Sequence, residues 1–169
     1  MKDQIDIISK MFRNRTEMDK EKYPYNLAKA RNLAIIEAEG KYLIFNDSRL
    51  KPEQDIIRQF VQRLEDSLSG KKRWIFGDKG GGKNSFVENF SATKRQDIIE
   101  FGMFPEFIMQ YGGMTQEIRN RWKKQGGEFI YHPTAMAEEI KSSKMTDKKR
   151  LDIVKSKNLI NKLWGDERI

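Results

Sequence analysis

The sequence has no cysteine, one histidine and four prolines among its 169 residues. Without cysteine there is no disulfide, no thiolate nucleophile and no thiolate ligand for a metal. A lone histidine, His132, leaves a zinc site without its usual donors, and it reads as a strand-end residue. No stretch approaches the ~18 apolar residues of a membrane-spanning helix. Residues 1–10 lack the apolar core of a signal peptide, so a cytoplasmic, reducing setting is expected.

What the chain does have is basic charge. Its 33 Lys and Arg outnumber 25 Asp and Glu, a net charge of +8. The excess gathers around Lys71, Lys72, Arg73, Lys79 and Lys83, and again in a tail from Lys141 to Lys162. Such charge suits a nucleotide diphosphate or an anionic membrane surface, or serves as a solubilising surface. The basic residues do not interleave with aromatics as a base-stacking platform would, which argues against nucleic acid. A hydrophobic share of 37% at this length fits one domain with a modest core.

Three regions follow from the pattern. Residues 1–24 are a polar N-terminal segment. From residue 25 to 140, helical and strand patterns alternate, which predicts an α/β fold with a mainly parallel sheet. Asn26 is a good N-cap for a helix carrying Leu27, Ala30, Ala34 and Ala38 on one face, closed by Gly40. The apolar run 42–45 reads as a strand entering a turn at Asn46, Asp47 and Ser48. Pro52 fits the first position of a helix whose apolar face carries Ile57, Phe60, Val61, Leu64 and Leu68. Residues 74–76 make a second strand, 91–100 a helix, and 128–131 a third strand stopped by Pro133. Thr115 suits the N-cap of a helix closed by Gly126 and Gly127. Residues 141–169 form a basic helical tail with Leu151, Val154, Ile160, Leu163 and Trp164 on one face.

The loop from Gly77 through Gly82 and Lys83 to Asn84 nearly matches a phosphate-binding P-loop. Asn84, however, stands where that motif needs a hydroxyl for Mg²⁺. A lid over a ligand pocket and an inert surface loop remain as readings. Asp47 lies at the carboxyl end of a strand, where a carboxylate can hold a divalent cation against a diphosphate. Two residues on, on the same side, stands Arg49, whose planar fork pairs with phosphate directly. Asn46, Asp47 and Ser48 also suit a plain turn. Likewise Thr115 and Glu117 fit a helix start, where they satisfy free N–H groups and the dipole.

Two segments of the sequence resemble the GT-A fold family 2 glycosyltransferases. The first has Arg31 and Asn32 on a helix, then Gly40, the apolar run 42–45 and Asp47. The second has Gly102, Phe104 and Glu106, then Tyr111, Gly112, Gly113, Glu117, Ile118 and Arg121, similar to the galactosyltransferase-type C-terminal motif. The resemblance implies transfer of a sugar from a nucleotide-sugar donor to a saccharide acceptor, with inversion, as in polysaccharide biosynthesis. It implies Arg31, Asn32, Asp47 and Arg49 at the donor diphosphate, with Mn²⁺ or Mg²⁺ at Asp47. Tyr111, Gly112 and Gly113 fall on the acceptor side. Glu117, Thr115 and Glu106 are the catalytic candidates.

There are departures. Arg49 replaces the second aspartate of the metal motif, and Met114 and Thr115 replace the acidic pair that activates the acceptor. A hydroxyl such as that of Thr115 is a poor general base near neutral pH. Glu138 and Glu139 stand near the place of a family histidine that binds the metal. The family also carries a further N-terminal βαβ half, for which residues 1–24 are too few. The resemblance therefore implies a partial GT-A (Rossmann-like) sheet, as a fragment, one half of a split enzyme or a degenerate relative. A partner subunit or a homo-oligomer would then cover the exposed edge. The rival reading is a non-catalytic module that binds a saccharide or a partner. Two geometric expectations follow: strands 41–46 and 128–132 share one sheet, and Asp47, Arg49, Gly112, Thr115 and Glu117 line one cleft at its carboxyl end.

Overall fold

A computed structural model describes residues 26–66, 70–80, 85–109, 112–140 and 144–165. The N-terminal segment, Leu68, Lys83, Asn84 and Tyr111 lie outside the described residues. Asn26 opens the first helix as its side chain predicts, its Oδ1 accepting from the Lys29 amide at 3.0 Å. The order is α1 (Leu27–Glu37), β1 (Tyr42–Asn46), β2 (Leu50–Pro52), α2 (Ile56–Glu65), β3 (Arg73–Asp78), β4 (Phe90–Lys94), α3 (Arg95–Phe101), α4 (Met114–Lys124), β5 (Glu128–Glu139) and α5 (Asp147–Trp164).

The strands form one sheet in the order β1-β4-β3-β5-β2, so the strands near 42 and 128 do share a sheet. It is mixed rather than mainly parallel. Among the described residues only β3 and β5 run parallel; β1–β4, β3–β4 and β2–β5 are antiparallel. The cause is β4. It lies between β1 and β3 and runs against both, at positions where the pattern suggested the start of a helix. Lys94 ends the strand and Arg95 begins α3 with no loop between.

Successive side chains of a strand point to opposite faces, and both faces are covered. Trp74 and Phe76 of β3 meet Ala28 and Ile35 of α1, Ile98 and Phe101 of α3, and Ile118 and Trp122 of α4. Ile75 of β3, with Phe90 and Ala92 of β4, meets Ile56, Phe60 and Leu64 of α2. The result is three layers, helices on either side of the sheet. Trp74 is the centre of the first face: fully buried, edge-on to Trp122 at 5.2 Å between centroids, and donating its indole N–H to Ser91 Oγ at 3.0 Å. That bond removes the cost of burying the donor, so the ring contributes its full apolar area.

Prolines and glycines behave differently from their sequence reading. Pro52 does not start a helix. It closes the edge strand β2, where its missing N–H costs no ladder bond, and α2 begins at Ile56. Ile56 therefore faces inward and Ile57 is exposed. Pro133 does not end β5. The pairing jumps from Gly77↔His132 to Asp78↔Met136, and Pro133 sits in the excursion between. Gly77 makes room for it. A Cβ there would lie 2.4 Å from the Ala135 carbonyl oxygen and 2.3 Å from the Phe90 ring.

Helix α4 starts at Met114 with Gly113 as its cap, so Thr115 lies inside the first turn. Helix α5 is capped by Thr146, whose hydroxyl accepts from the Lys149 amide at 3.3 Å. Its docked face is only partly the expected one, Ile160 lying on it and Trp164 half-buried. Ser156 and Ile160 are buried, while Leu151, Val154 and Leu163 are more than half exposed. Among the described residues no helix is long and apolar enough to cross a membrane.

Candidate functional site

Both β1 and β3 run against β4, and β5 runs with β3, so these three strands finish at the same end of the sheet. Asp47 follows β1, Lys79 follows β3, and Glu139 is the last residue of β5. Asn89 immediately precedes β4 and comes to the same place. With Arg49 and Leu50 they line a cleft of about 90 Å³. Pockets for whole drug-sized ligands run to roughly 300–1,000 Å³, so this one fits a phosphate-sized group.

Arg49 holds Asp47 from two sides. Its Nε donates to Oδ1 at 2.9 Å and its Nη2 to Oδ2 at 2.5 Å, and its backbone N–H adds a third bond to Oδ1 at 3.0 Å. These bonds stabilise the carboxylate and lower its pKa to about 2 from its ordinary 3.8. The Asp47 amide in turn donates to the Asn89 carbonyl at 2.8 Å, which ties the end of β1 to the start of β4. Lys79 is half-buried. Its Nζ donates to the neutral Asn89 Oδ1 at 2.8 Å, and it has no ion pair among the described residues. Burial pushes its pKa down, against the pull of Glu88, Asp47 and Glu139.

Next to Asn89 stands Glu88, only 5% exposed. Its Oε1 accepts from Arg31 of α1 at 2.9 Å, and its Oε2 accepts from the Thr115 hydroxyl of α4 at 2.5 Å. Arg119, one turn along α4, donates to the Phe86 carbonyl, and Glu88 contributes to its field. A carboxylate thus lies directly against Thr115, supplied by the segment before β4.

The remaining candidates are distributed elsewhere. Asn32 is buried and clasps the Phe104 backbone, donating to its carbonyl at 3.0 Å and accepting from its amide at 2.9 Å. It also donates to Oε1 of the exposed Glu106 at 2.9 Å. Glu117 is turned into the domain and paired with Arg121 at 2.8 Å; that guanidinium also donates to the Phe101 and Met103 carbonyls and lies 3.9 Å over the Phe101 ring. Gly112 and Gly113 face α5, where added Cβ atoms would come within 3.0 Å of Ile153 and 2.6 Å of Ser156. Tyr111 lies outside the described residues. Of the five residues expected in one cleft, Asp47 and Arg49 share it. Thr115 is joined to it through Glu88 and Asn89, while Gly112 and Glu117 meet other partners.

His132 packs at the excursion of β5, where burial and then Arg63 lower its pKa. It helps line a wider cleft of about 450 Å³ against α2, which shares no residue with the Asp47 site.

Lys79, Glu88, Asn89 and Glu139 were not singled out as site residues by the sequence. Lys79 was visible only as one member of a basic cluster, and Glu139 as a neighbour of the expected metal position. Glu88 carried no local signal, because its meaning comes from Arg31 and Thr115, both distant in sequence. A divalent cation does not fit this donor set. Among the described residues no three His, Asp or Glu side chains gather to hold a metal. Asp47 has both oxygens on Arg49, and Lys79 adds a second cation to the cleft.

No protein-family model matches the chain, and no curated protein matches it. Solved structures do. The catalytic domain of Drosophila beta1,4-galactosyltransferase 7, in complex with xylobiose, superposes with a TM-score of 0.53 at 14% identity over 76% of this chain. A mutant of that enzyme with manganese, UDP-Gal and xylobiose gives 0.52 at 14% identity. GalNAc-T7 with UDP, GalNAc and Mn²⁺ gives 0.63 at 15% identity over 84% of this chain. The fold is that of the GT-A glycosyltransferases. The chain spans 60% of the galactosyltransferase domain and 35% of GalNAc-T7, so the glycosyltransferase likeness is one of fold over part of each. Within that fold, the Asp47 cleft stands at the carboxyl ends of strands, where open α/β sheets receive ligands.

Proposed function

We propose that this chain is a glycosyltransferase-like domain that receives a nucleotide-sugar donor and a saccharide acceptor. The observation that carries the reading is the convergence of Asp47, Lys79, Asn89 and Glu139 at one end of a GT-A sheet, adjoining the Glu88–Thr115 pair. The donor diphosphate belongs at the Asp47 cleft and the acceptor beside Thr115. An acceptor hydroxyl oxygen attacks the anomeric carbon, the bond to the diphosphate breaks with its electron pair leaving on the diphosphate, and the hydroxyl proton passes to a carboxylate. Glu88 is the carboxylate in place for this, in preference to Glu117 or the exposed Glu106. The transfer inverts the anomeric centre.

A cytoplasmic location belongs to the same reading, with the basic side chains of α5 against a membrane surface. Leu33 and Ile36, exposed on α1, support a partner subunit or a second copy. The test is isothermal titration with UDP- and GDP-sugars, followed by product analysis with saccharide acceptors. Binding of one sugar nucleotide and transfer lost in Glu88→Gln is expected; no binding of any sugar nucleotide sinks the proposal.

One observation favours a non-catalytic module instead: α5 lies on Gly112 and Gly113, where the acceptor motif would need open space. That reading expects saccharide or sugar-nucleotide binding without turnover.

A further inference from the structure

We propose that Lys79, with Arg49 beside it, takes the place of the divalent cation and holds the donor's terminal phosphates directly. The inference rests on the donor-site reading above, and its starting point is the mismatch between the cleft and a metal. Two carboxylates line the cleft, Asp47 and Glu139. The first is spanned by the Arg49 fork, so a metal would have to displace a guanidinium and then sit beside it. It would also face the Lys79 ammonium. Like charges in a partly desolvated cleft repel more strongly than in water.

An anion meets the opposite situation. Lys79 is a half-buried ammonium whose hydrogen bond goes to a neutral amide, with no carboxylate at ion-pair distance among the described residues. It has lost hydration without gaining a full counter-charge, and its lowered pKa reflects that. A phosphate oxygen would supply the counter-charge. The Asp47 carboxylate then acts as the brace of Arg49, fixing the guanidinium at the end of β1 rather than binding an ion. The dimensions agree: about 90 Å³ accepts a phosphate group and leaves sugar and nucleoside outside.

Glu139 is the group that opposes this. Its carboxylate shares the cleft, so the side chains lining it carry two charges of each sign. This gives the proposal its sharpest variant. Glu139→Gln removes a negative charge that a metal would use and an anion would avoid.

The experiment is titration of the full chain with UDP and with inorganic pyrophosphate, each in EDTA and in Mn²⁺. Expected is UDP binding in EDTA, within about threefold of the affinity in Mn²⁺. Lys79→Met weakens it at least tenfold, and Glu139→Gln strengthens it severalfold. Each variant is checked for an unchanged thermal midpoint, and Lys79→Arg restores binding. UDP binding seen only with Mn²⁺ and weakened in Glu139→Gln overturns this inference but leaves the donor reading standing. Pyrophosphate binding as tight as UDP, and lost in Lys79→Met, upholds the phosphate site while removing the nucleotide donor. No binding of either probe in either buffer overturns both.

Discussion

Replacing Gly113 with alanine tests how α5 closes over the motif at the start of α4. Two costs arise there and they separate cleanly. The residue holds φ at +81°, where a side chain is strained by about 1–3 kcal/mol. The new Cβ would also stand 2.6 Å from the Ser156 Cβ, far inside contact distance. Overpacking of that kind costs about 1–3 kcal/mol, through displacement of the helix or its side chain. Gly113→Ala should therefore destabilise by roughly 2–6 kcal/mol, the sum of the two. Urea unfolding followed by circular dichroism measures it, as a fall in midpoint at constant slope. Ser156→Gly in the same chain should recover the steric share and leave the backbone strain. If Gly113→Ala costs less than about 0.5 kcal/mol, the range of ordinary surface changes, neither the backbone strain nor the docking of α5 holds at this turn. Equal costs with and without Ser156→Gly would show that the contact itself contributes nothing.

Three further outcomes are expected. Asp47 has a folded pKa of about 2, below its ordinary 3.8, so its contribution to stability is complete above about pH 4 and is lost as pH falls toward 2; acid unfolding curves of Asp47→Asn should lack that component. Glu117→Ala should cost about 3–5 kcal/mol by stranding the Arg121 charge, with Arg121→Met in the same chain recovering part of it, as denaturant titration would report. On α5, Ile160→Ala should cost about 2–5 kcal/mol, whereas Leu151→Ala should stay within about 0.5 kcal/mol, since the first is buried and the second exposed; thermal melts distinguish them.

Much of the fold was legible where one period dominates a window. The cap at Asn26 and the strands around 43, 75 and 129 follow from local chemistry. β4 was hidden because its five residues run straight into α3, so a period of 2 and a period of 3.6 meet inside ten residues. The docked face of α5 was hidden for another reason. Apolar spacing favours Leu151 and Val154, but the surface that receives the helix is a pair of glycines in close approach. What fits there is a small side chain, Ser156, and that requirement is written in Gly112 and Gly113 rather than in the helix. At the site, Asp47 and Arg49 were readable because they are neighbours at a strand end. Lys79, Glu88 and Glu139 come from three other segments, and only the sheet order brings them to the same end.

That sheet order also governs when the chain becomes able to bind anything. β3 and β4 are close in sequence and can pair early, but β3 and β5 are separated by α3 and α4. Pairing across such a span pays its loop-closure entropy before any contact repays it, so it comes late. Glu139 ends β5, and this wall of the cleft therefore rises only when the long-range β3–β5 pairing is made. A chain emerging from the ribosome would carry Asp47 and Lys79 long before they have a binding site. Ligand affinity during refolding would report completion of the sheet rather than the appearance of its first hairpin.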